Sequence, residues 1–314
     1  MRYIGELREG DMLSETYFCK LKQTLKTKAG KTYYSLILQD KTGTLDAKVW
    51  DLSAGIDHFE SMDYIHIDGQ VTCFQNALQL NVKRIRRSQE GEYDPSDFMP
   101  VTDKNIEEMY RSILGYIERI SNPYIKKLAE SFFKDDKDFV ARFKKHSAAK
   151  SVHHGFIGGL LEHTLGVVNL CNYIADYYEG INRDVLIVGG LFHDIGKLDE
   201  LSPFPENDYT DEGQLLGHII IGTQKVAAKI ATIPGFPKKL EGEILHCILS
   251  HHGELEYGSP KKPATMEALA LSYADNTDAK LQTMKEALAA GEDKSEWVGY
   301  NRFFETNIKR TTPM

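Results

Sequence analysis

Residues 190–197 read Gly-Leu-Phe-His-Asp-Ile-Gly-Lys and close an apolar run. An imidazole, His193, and a carboxylate, Asp194, stand side by side at the end of a predicted helix. Adjacent helical positions diverge by about 100°, so both side chains reach one ion only if it lies between them. Gly196 is expected to let the chain turn sharply and bring Lys197 back over the site. The segment therefore predicts a polar centre at the end of a buried helix.

Other predicted apolar helices carry histidine or aspartate in similar positions. These side chains are His163, His218, His251, His252 and Asp275. A single histidine at such a position is more often a hydrogen-bonded core residue. Burying several unpaired polar groups costs several kcal/mol each, however, and one shared metal cluster would satisfy all of them. Mixed imidazole and carboxylate ligation suits Mn, Fe, Co or Zn better than the all-oxygen sites of Mg or Ca.

The N-terminal part of the chain has the alternation of β-strands. Five segments show it: 17–25, 33–39, 45–50, 64–74 and 78–85. Asp40-Lys-Thr-Gly43 predicts a hairpin turn between the second and third strands. A helix at 52–61, between the third and fourth strands, would complete the order of an OB-fold barrel.

The sequence pattern changes between the N-terminal and the C-terminal part of the chain. Residues 91–103 belong to an acidic stretch with two prolines and are predicted to be a linker between a barrel at 1–90 and an all-α domain at 104–314. The metal core of the helical domain would span about 150–280. The fold class is thus a two-domain chain, all-β first and all-α second.

One face of the predicted barrel mixes rings with lysines. Alternation in the first strand turns Tyr17, Cys19 and Leu21 inward. The outward set across three strands is Phe18, Lys20, Lys22, Tyr33, Lys48 and Trp50. Bases stack on rings while lysines follow phosphates, which favours binding of a single nucleic-acid strand. An amphipathic barrel with solvated lysines, or one that contacts protein, is the alternative.

Composition narrows the class further. The chain has 314 residues, 41% hydrophobic content and a net charge of −8, so it is not a uniformly basic nucleic-acid binder. Its apolar runs are too short to span a bilayer, and its first residues lack a signal-peptide pattern. We therefore expect a cytoplasmic protein without membrane contact. Its four cysteines are scattered, which argues against a disulfide framework or a cysteine zinc site.

The order H…HD…H…HH…D, with HDIGK in the middle, resembles the HD superfamily of metal-dependent phosphohydrolases over about residues 150–280. Similarity to dinuclear members implies that His163, His193, Asp194 and Asp275 hold one ion. His218, His251 and His252 would hold the second, with Asp194 bridging.

Two further roles are expected around the ions. Lys197 is expected to stabilise charge on the phosphate oxygens during attack, which makes it catalytic together with Asp194. His153 and His154 would contact substrate phosphate, protonate the leaving group, or support the ligands from behind.

A barrel ahead of such a domain resembles the YhaM-type 3′-to-5′ exoribonuclease family. GGLLEHT at 158–164, FHDIGK at 192–197 and SHHGE at 250–254 carry the likeness. It implies hydrolysis of single-stranded RNA, with single-stranded DNA as a further substrate. It also implies two divalent ions per chain, with manganese preferred over iron, cobalt or magnesium.

Two other functions stay open at this point. One is an HD phosphohydrolase that acts on a nucleotide or a cyclic dinucleotide, with a regulatory barrel. The chain reads Gly-Glu-Leu-Glu-Tyr-Gly after His252 and lacks a GYP signature, which lowers the cyclic-dinucleotide option. The other is a non-catalytic nucleic-acid-binding protein, against which the full ligand set argues. The oligomeric state is not encoded in any of these patterns.

Overall fold

The computed structural model describes residues 1–53, 55–74, 77–150, 154–290 and 296–312. The chain forms two compact units. The first comprises Met1–Val101 with Phe204–Glu206, and the second comprises Thr102–Pro203 with Asn207–Met314. Among the described residues, no helix has the length and apolar character needed to cross a membrane.

The first unit is a closed five-stranded barrel. Its strands are β1 (Met12–Lys26), β2 (Thr32–Asp40), β3 (Gly43–Val49), β4 (Tyr64–Phe74) and β5 (Ala77–Arg87). They follow the order β1-β2-β3-β5-β4 and close back on β1; β3 and β5 are parallel and the other pairs antiparallel. Alternate aliphatic side chains fill the interior, among them Leu36, Leu38, Ile65, Ile67 and Leu80. This order confirms the predicted OB-like barrel.

The segment between β3 and β4 differs from its prediction. The helix expected at 52–61 is not formed in the described part of that segment. Ile56 instead bridges Ile85 of β5, and Phe59 is fully buried against the edge of the Tyr34 ring. Both apolar side chains serve the barrel, and this requirement overrides the local preference for a helix.

The barrel unit also extends further along the chain than residue 90. Tyr93 stacks on Tyr64 with ring centroids 4.0 Å apart, and Phe98 and Met99 are buried. The Gln39 side chain donates a hydrogen bond to the carbonyl oxygen of Phe98 at 3.1 Å. Much of the acidic stretch predicted as a linker is therefore packed on the outside of the barrel.

The second unit is helical. Its helices are α1 (Ile106–Glu118), α2 (Pro123–Phe133), α3 (Lys137–Lys145), α4 (Gly159–Tyr177), α5 (Arg183–Phe192), α6 (Lys197–Glu200), α7 (Asp211–Ala231), α8 (Lys238–Ser250) and α9 (Met266–Ala290). Helix α5 is buried from Val185 to Phe192 and packs against α4, α8 and α9. A small hairpin, β6 (Trp297–Asn301) and β7 (Thr306–Lys309), follows α9 and was not predicted.

Candidate metal centre and nucleic-acid face

Seven side chains predicted as ligands converge where α5 ends. They come from α4 (His163), the turn after α5 (His193 and Asp194), α7 (His218), the end of α8 (His251 and His252) and α9 (Asp275). His193 and His251 are fully buried and His163 and Asp194 nearly so. The apolar helices that surround α5 thus place their few polar side chains at one point.

The ligand atoms form two groups. Nε2 of His163, Nε2 of His193 and a carboxylate oxygen of Asp275 lie within 4.8 Å of one another. The ring nitrogens of His218, His251 and His252 form a second group of the same size. Each group therefore has the dimensions of one metal site.

Asp194 lies between the two groups. Its Oδ2 is 3.4 Å from Nε2 of both His163 and His193. Its Oδ1 is 3.5 Å from Nε2 of His218 and 3.7 Å from Nε2 of His251. The carboxylate therefore directs one oxygen toward each group.

Each of these histidines is fixed through its Nδ1 atom. Nδ1–H of His193, His251 and His252 donates to the backbone carbonyl oxygens of Gly190, Ile248 and Tyr257 at 2.7–2.8 Å. His163 and His218 use the carboxylates of Asp278 and Glu200 instead, at 2.7 and 2.9 Å. A proton on Nδ1 leaves the lone pair of Nε2 free, which is the form of histidine that binds metal.

Several buried polar atoms lack a protein partner. Among the described residues, Oδ1 of Asp194, Nε2 of His218 and Nε2 of His251 accept or donate no hydrogen bond. Nε2 of His163 and Nε2 of His193 also face each other at 3.2 Å, so a cation or a proton must lie between two lone pairs. Buried polar atoms without partners are costly, and divalent cations would satisfy all of them. The donor set therefore fits metal ions.

Lys197 supplies a partly buried positive charge beside the bridging carboxylate. Its Nζ lies 2.7 Å from Oδ2 of Asp194. Burial would raise the pKa of Asp194, but Lys197 and His193 hold it well below its usual range. Burial lowers the pKa of Lys197, yet Asp194 outweighs this effect and raises it. Both groups are therefore charged at neutral pH.

The histidines of the two groups differ electrostatically. Burial lowers the pKa of His163, but hydrogen bonds with Asp194, Asp275 and Asp278 raise it well above its usual value. Burial and the neighbouring His252 hold the pKa of His251 well below the usual value for histidine. The first group is rich in carboxylates, whereas the second is made of imidazoles.

The role expected for Gly196 is corrected. Its φ and ψ are −64° and −22°, which any residue adopts, so the turn does not require glycine. A Cβ at this position would lie 2.0 Å from the carbonyl oxygen of His218. Gly196 is needed because α7 passes directly over it, and this contact sets His218 beside Asp194.

Two carboxylates at the centre were missed in the sequence. Asp278 follows Asp275 by three residues on α9 and bonds His163, and Glu200 ends α6 and bonds His218. The spacing of Asp275 and Asp278 on one helix face was the only available signal. His154 also bonds Asp278, through Nε2 at 3.1 Å, whereas His153 lies outside the described residues.

A bulge in β1 changes the predicted nucleic-acid face. The pairing with β2 shifts between Cys19 and Leu21, so Lys20 is the extra residue and the alternation inverts after it. Leu21 is consequently 41% exposed, whereas Lys22 pairs with the buried Leu36. The inward prediction for Leu21 and the outward prediction for Lys22 are both wrong.

Three of the six predicted contact residues are engaged within the barrel. Phe18 is 1% exposed and packs on Tyr64. Lys22 donates to the carbonyl oxygen of Phe59 at 2.5 Å and lies over that ring. Lys48 is paired with Asp46 at 2.7 Å. Phe18 and Lys22 are therefore not available to a nucleic acid, and Lys48 is partly neutralised.

The remaining residues form an exposed platform. Tyr33 stacks on Trp50 with ring centroids 4.6 Å apart, and the Trp50 ring is 43% exposed. Leu25 pairs with Tyr33 across β1 and β2 and is 40% exposed. Lys20 is exposed on the same sheet. Rings and an aliphatic side chain in one row give a surface on which bases can stack.

Comparison with known proteins agrees with this architecture. The model of the HD domain family matches residues 160–280, which include all seven converging side chains. The chain is therefore a hydrolase of the HD class with an OB-like barrel ahead of its HD domain.

A curated relative, the 3′-5′ exoribonuclease YhaM of Geobacillus sp. (strain WCH70), is 36% identical over 261 residues, which are 82% of this chain and 79% of the relative. The chain belongs to the YhaM 3′-5′ exoribonuclease family.

Two solved OB-fold structures each match less than a third of this chain. One is the second OB-fold domain of replication protein A from Methanococcus maripaludis, at 21% identity and a TM-score of 0.24, covering 29% of this chain and 98% of that one. The other is an OB domain from Thermoplasma acidophilum, at 18% identity and a TM-score of 0.20, covering 27% of this chain and 79% of that one.

Proposed function

We propose that this chain is a 3′-to-5′ exoribonuclease that hydrolyses single-stranded RNA with two divalent metal ions. The observation that carries the proposal is Asp194, whose two carboxylate oxygens each face a separate group of imidazoles. The name of the YhaM relative, a 3′-5′ exoribonuclease, supports the substrate class and the direction of cleavage.

The ligands divide between the ions as follows. His163, His193 and Asp275 would hold the first ion, and His218, His251 and His252 would hold the second, with Asp194 shared. When bound, two such ions would lower the pKa of a bound water molecule and neutralise phosphate oxygens. Manganese is our preferred ion, with iron, cobalt and magnesium as alternatives, because imidazoles dominate the donor set.

The residues of the chain contribute orientation and charge. The Nδ1 hydrogen bonds hold each ring so that Nε2 points into the centre, and this arrangement is fixed before substrate arrives. Lys197 keeps its ammonium beside Asp194, where it balances the carboxylate and attracts the phosphodiester. His154 presents Nδ1, a buried ring nitrogen, as a contact for the substrate.

The barrel is proposed to hold the strand. Tyr33 and Trp50 would stack bases, and Lys20 would follow a phosphate. Stacking on rings is tolerant of sequence and of the sugar, so single-stranded DNA is a second substrate class. We place this activity in the cytoplasm, where the RNA substrate is found.

The test is a digestion of RNA labelled at its 5′ end, resolved by length over time with Mn²⁺ and with a chelator. A 3′-to-5′ exonuclease yields a ladder that shortens from the unlabelled end, and the chelator stops it. The same RNA labelled at its 3′ end should release labelled mononucleotide at once. An Asp194→Asn variant serves as the inactive control. Cleavage of a free nucleotide or a cyclic dinucleotide, with RNA left intact, would overturn the proposal.

A further inference from the structure

One carboxylate oxygen joins the first metal group to a second histidine. Oδ2 of Asp278 accepts from Nδ1 of His163 at 2.7 Å and from Nε2 of His154 at 3.1 Å. The ring centroids of His154 and His163 lie 5.3 Å apart. The other ring nitrogen of His163, Nε2, is directed toward Asp194 and Asp275.

His154 is held rigidly but incompletely bonded. The residue is 2% exposed, and Nδ1 has no partner among the described residues. Its backbone adopts φ of 60°, and its carbonyl oxygen accepts from the backbone N–H of Ala148 at 3.0 Å. A non-glycine residue in the left-handed region persists only where its surroundings enforce it, and such residues cluster at functional sites. A buried ring nitrogen without a partner, next to a metal ligand, is suited to contact a substrate.

Helix α4 makes room for the shared carboxylate. A Cβ at Gly166 would lie 2.1 Å from Oδ1 of Asp278, so a larger residue would force the carboxylate out of this position. His163 stands on α4 three residues earlier. Helix α4 thus carries both the predicted metal ligand His163 and Gly166, the glycine that leaves room for the Asp278 carboxylate.

We infer that Asp278 is a positioning residue that orients His163 for the first ion and His154 for the substrate. The inference rests on the proposed function for the identity of that substrate. It makes Asp278 the residue through which binding of the first ion and binding of the RNA are coupled. A carboxylate behind a metal-binding histidine typically changes metal affinity 10–100-fold when it is removed (an order-of-magnitude range).

The experiment measures Mn²⁺ affinity and steady-state cleavage of a labelled RNA in wild type, Asp278→Asn, His154→Gln and the double variant. We expect Asp278→Asn to weaken binding of one Mn²⁺ roughly 10–100-fold and to raise KM for RNA. His154→Gln should keep wild-type Mn²⁺ affinity and raise KM. In the double variant, the His154 substitution should add little to KM, because Asp278→Asn alone already removes the carboxylate that orients the His154 ring. Asp138→Asn, on an exposed turn of α3, is the matched control and should change neither readout.

Gly166→Ala tests the inference without removing a polar group. The added methyl group must displace the Asp278 carboxylate, so we expect the same loss of Mn²⁺ affinity. Gly115→Ala, a helical glycine with open space at its Cβ position, is its control.

Wild-type Mn²⁺ affinity in folded Asp278→Asn and Gly166→Ala proteins, or a fully additive effect of His154→Gln, would overturn the inference. Failure of the proposed function would be seen differently, as wild-type protein that binds Mn²⁺ but leaves RNA intact.

Discussion

Glu200 accepts two hydrogen bonds from His218, one from its backbone N–H and one from its ring Nδ1, both at 2.9 Å. Burial would raise the pKa of Glu200, but these contacts with His218 lower it, so the carboxylate is charged. Glu200 ends the short helix α6 that begins at Lys197. One short helix therefore reaches both groups of the centre, through Lys197 at Asp194 and through Glu200 at His218.

Glu200→Gln is predicted to weaken binding of the second ion. The amide cannot carry the charge that polarises the His218 ring, and it can reverse the hydrogen bond. We expect about a 10–100-fold loss of affinity for one of the two ions, measured by titration of metal-free protein with Mn²⁺. Glu243→Gln, on the exposed face of α8, should bind both ions normally. Two unchanged binding steps in Glu200→Gln protein would show that this carboxylate does not support a ligand.

Asp194→Asn is predicted to abolish hydrolysis. The substitution keeps the shape of the side chain but removes the charge that both groups face and that Lys197 pairs with. We expect kcat to fall by at least about 100-fold. Asp176→Asn, on the exposed side of α4, should leave kcat unchanged. Substantial turnover by Asp194→Asn protein with full metal content would disprove the bridging role.

Removal of metal should destabilise the helical unit. Ligands that bind only the folded state add about 2.7 kcal/mol for each ion at a free concentration 100 times its Kd. At about 2–4 °C per kcal/mol, that corresponds to a rise in Tm of roughly 5–10 °C per ion. Thermal unfolding after exhaustive chelation, followed by titration with Mn²⁺, measures it. A Tm that does not respond to Mn²⁺ would contradict the assignment of the cluster as a metal centre.

The sequence predicted the parts of the site that depend on residue type and order. His193, Asp194 and the other converging side chains could be found because polar residues at the ends of apolar helices need a common partner. Glu200 and Asp278 could not, because each meets its histidine only after helices pack. The interior position of Lys22 was missed for a different reason. A bulge inserts one residue without a sequence signal, and every side chain beyond it changes face.

Lys20 and Lys22 are predicted to behave differently when substituted. Lys20→Ala should make the slope of log K for RNA binding against log salt concentration shallower by about the amount expected for one phosphate contact. It should leave stability unchanged. Lys22→Ala should instead lower the free energy of unfolding by about 1–2 kcal/mol, since it loses the bond to Phe59 and the contact with its ring. RNA binding at several salt concentrations and denaturant unfolding of both variants separate the two effects. A flatter salt dependence in Lys22→Ala alone would restore the original outward assignment of Lys22.

Trp50→Ala is predicted to weaken binding of long RNA with little loss of stability. The exposed ring stacks on Tyr33, and its Nε1–H donates a surface hydrogen bond to Oδ1 of Asn81 at 3.0 Å. Its removal takes away a stacking surface and this one exposed bond, which contributes about 1 kcal/mol or less, and leaves the barrel interior intact. A base stacked on a ring contributes about 1–3 kcal/mol, which corresponds to roughly a 5- to 150-fold rise in Kd. Trp50→Phe should recover part of the affinity, because a smaller ring still stacks.

The matched control for Trp50→Ala is Phe18→Ala. Phe18 is buried, so this variant should lose about 3–5 kcal/mol of stability. While folded, it should bind RNA like wild type. Fluorescence anisotropy with a labelled oligonucleotide gives both affinities under conditions in which circular dichroism confirms folding. Equal affinity of wild type and Trp50→Ala for a long RNA would mean that the strand does not cross this face of the barrel, whatever the metal centre does.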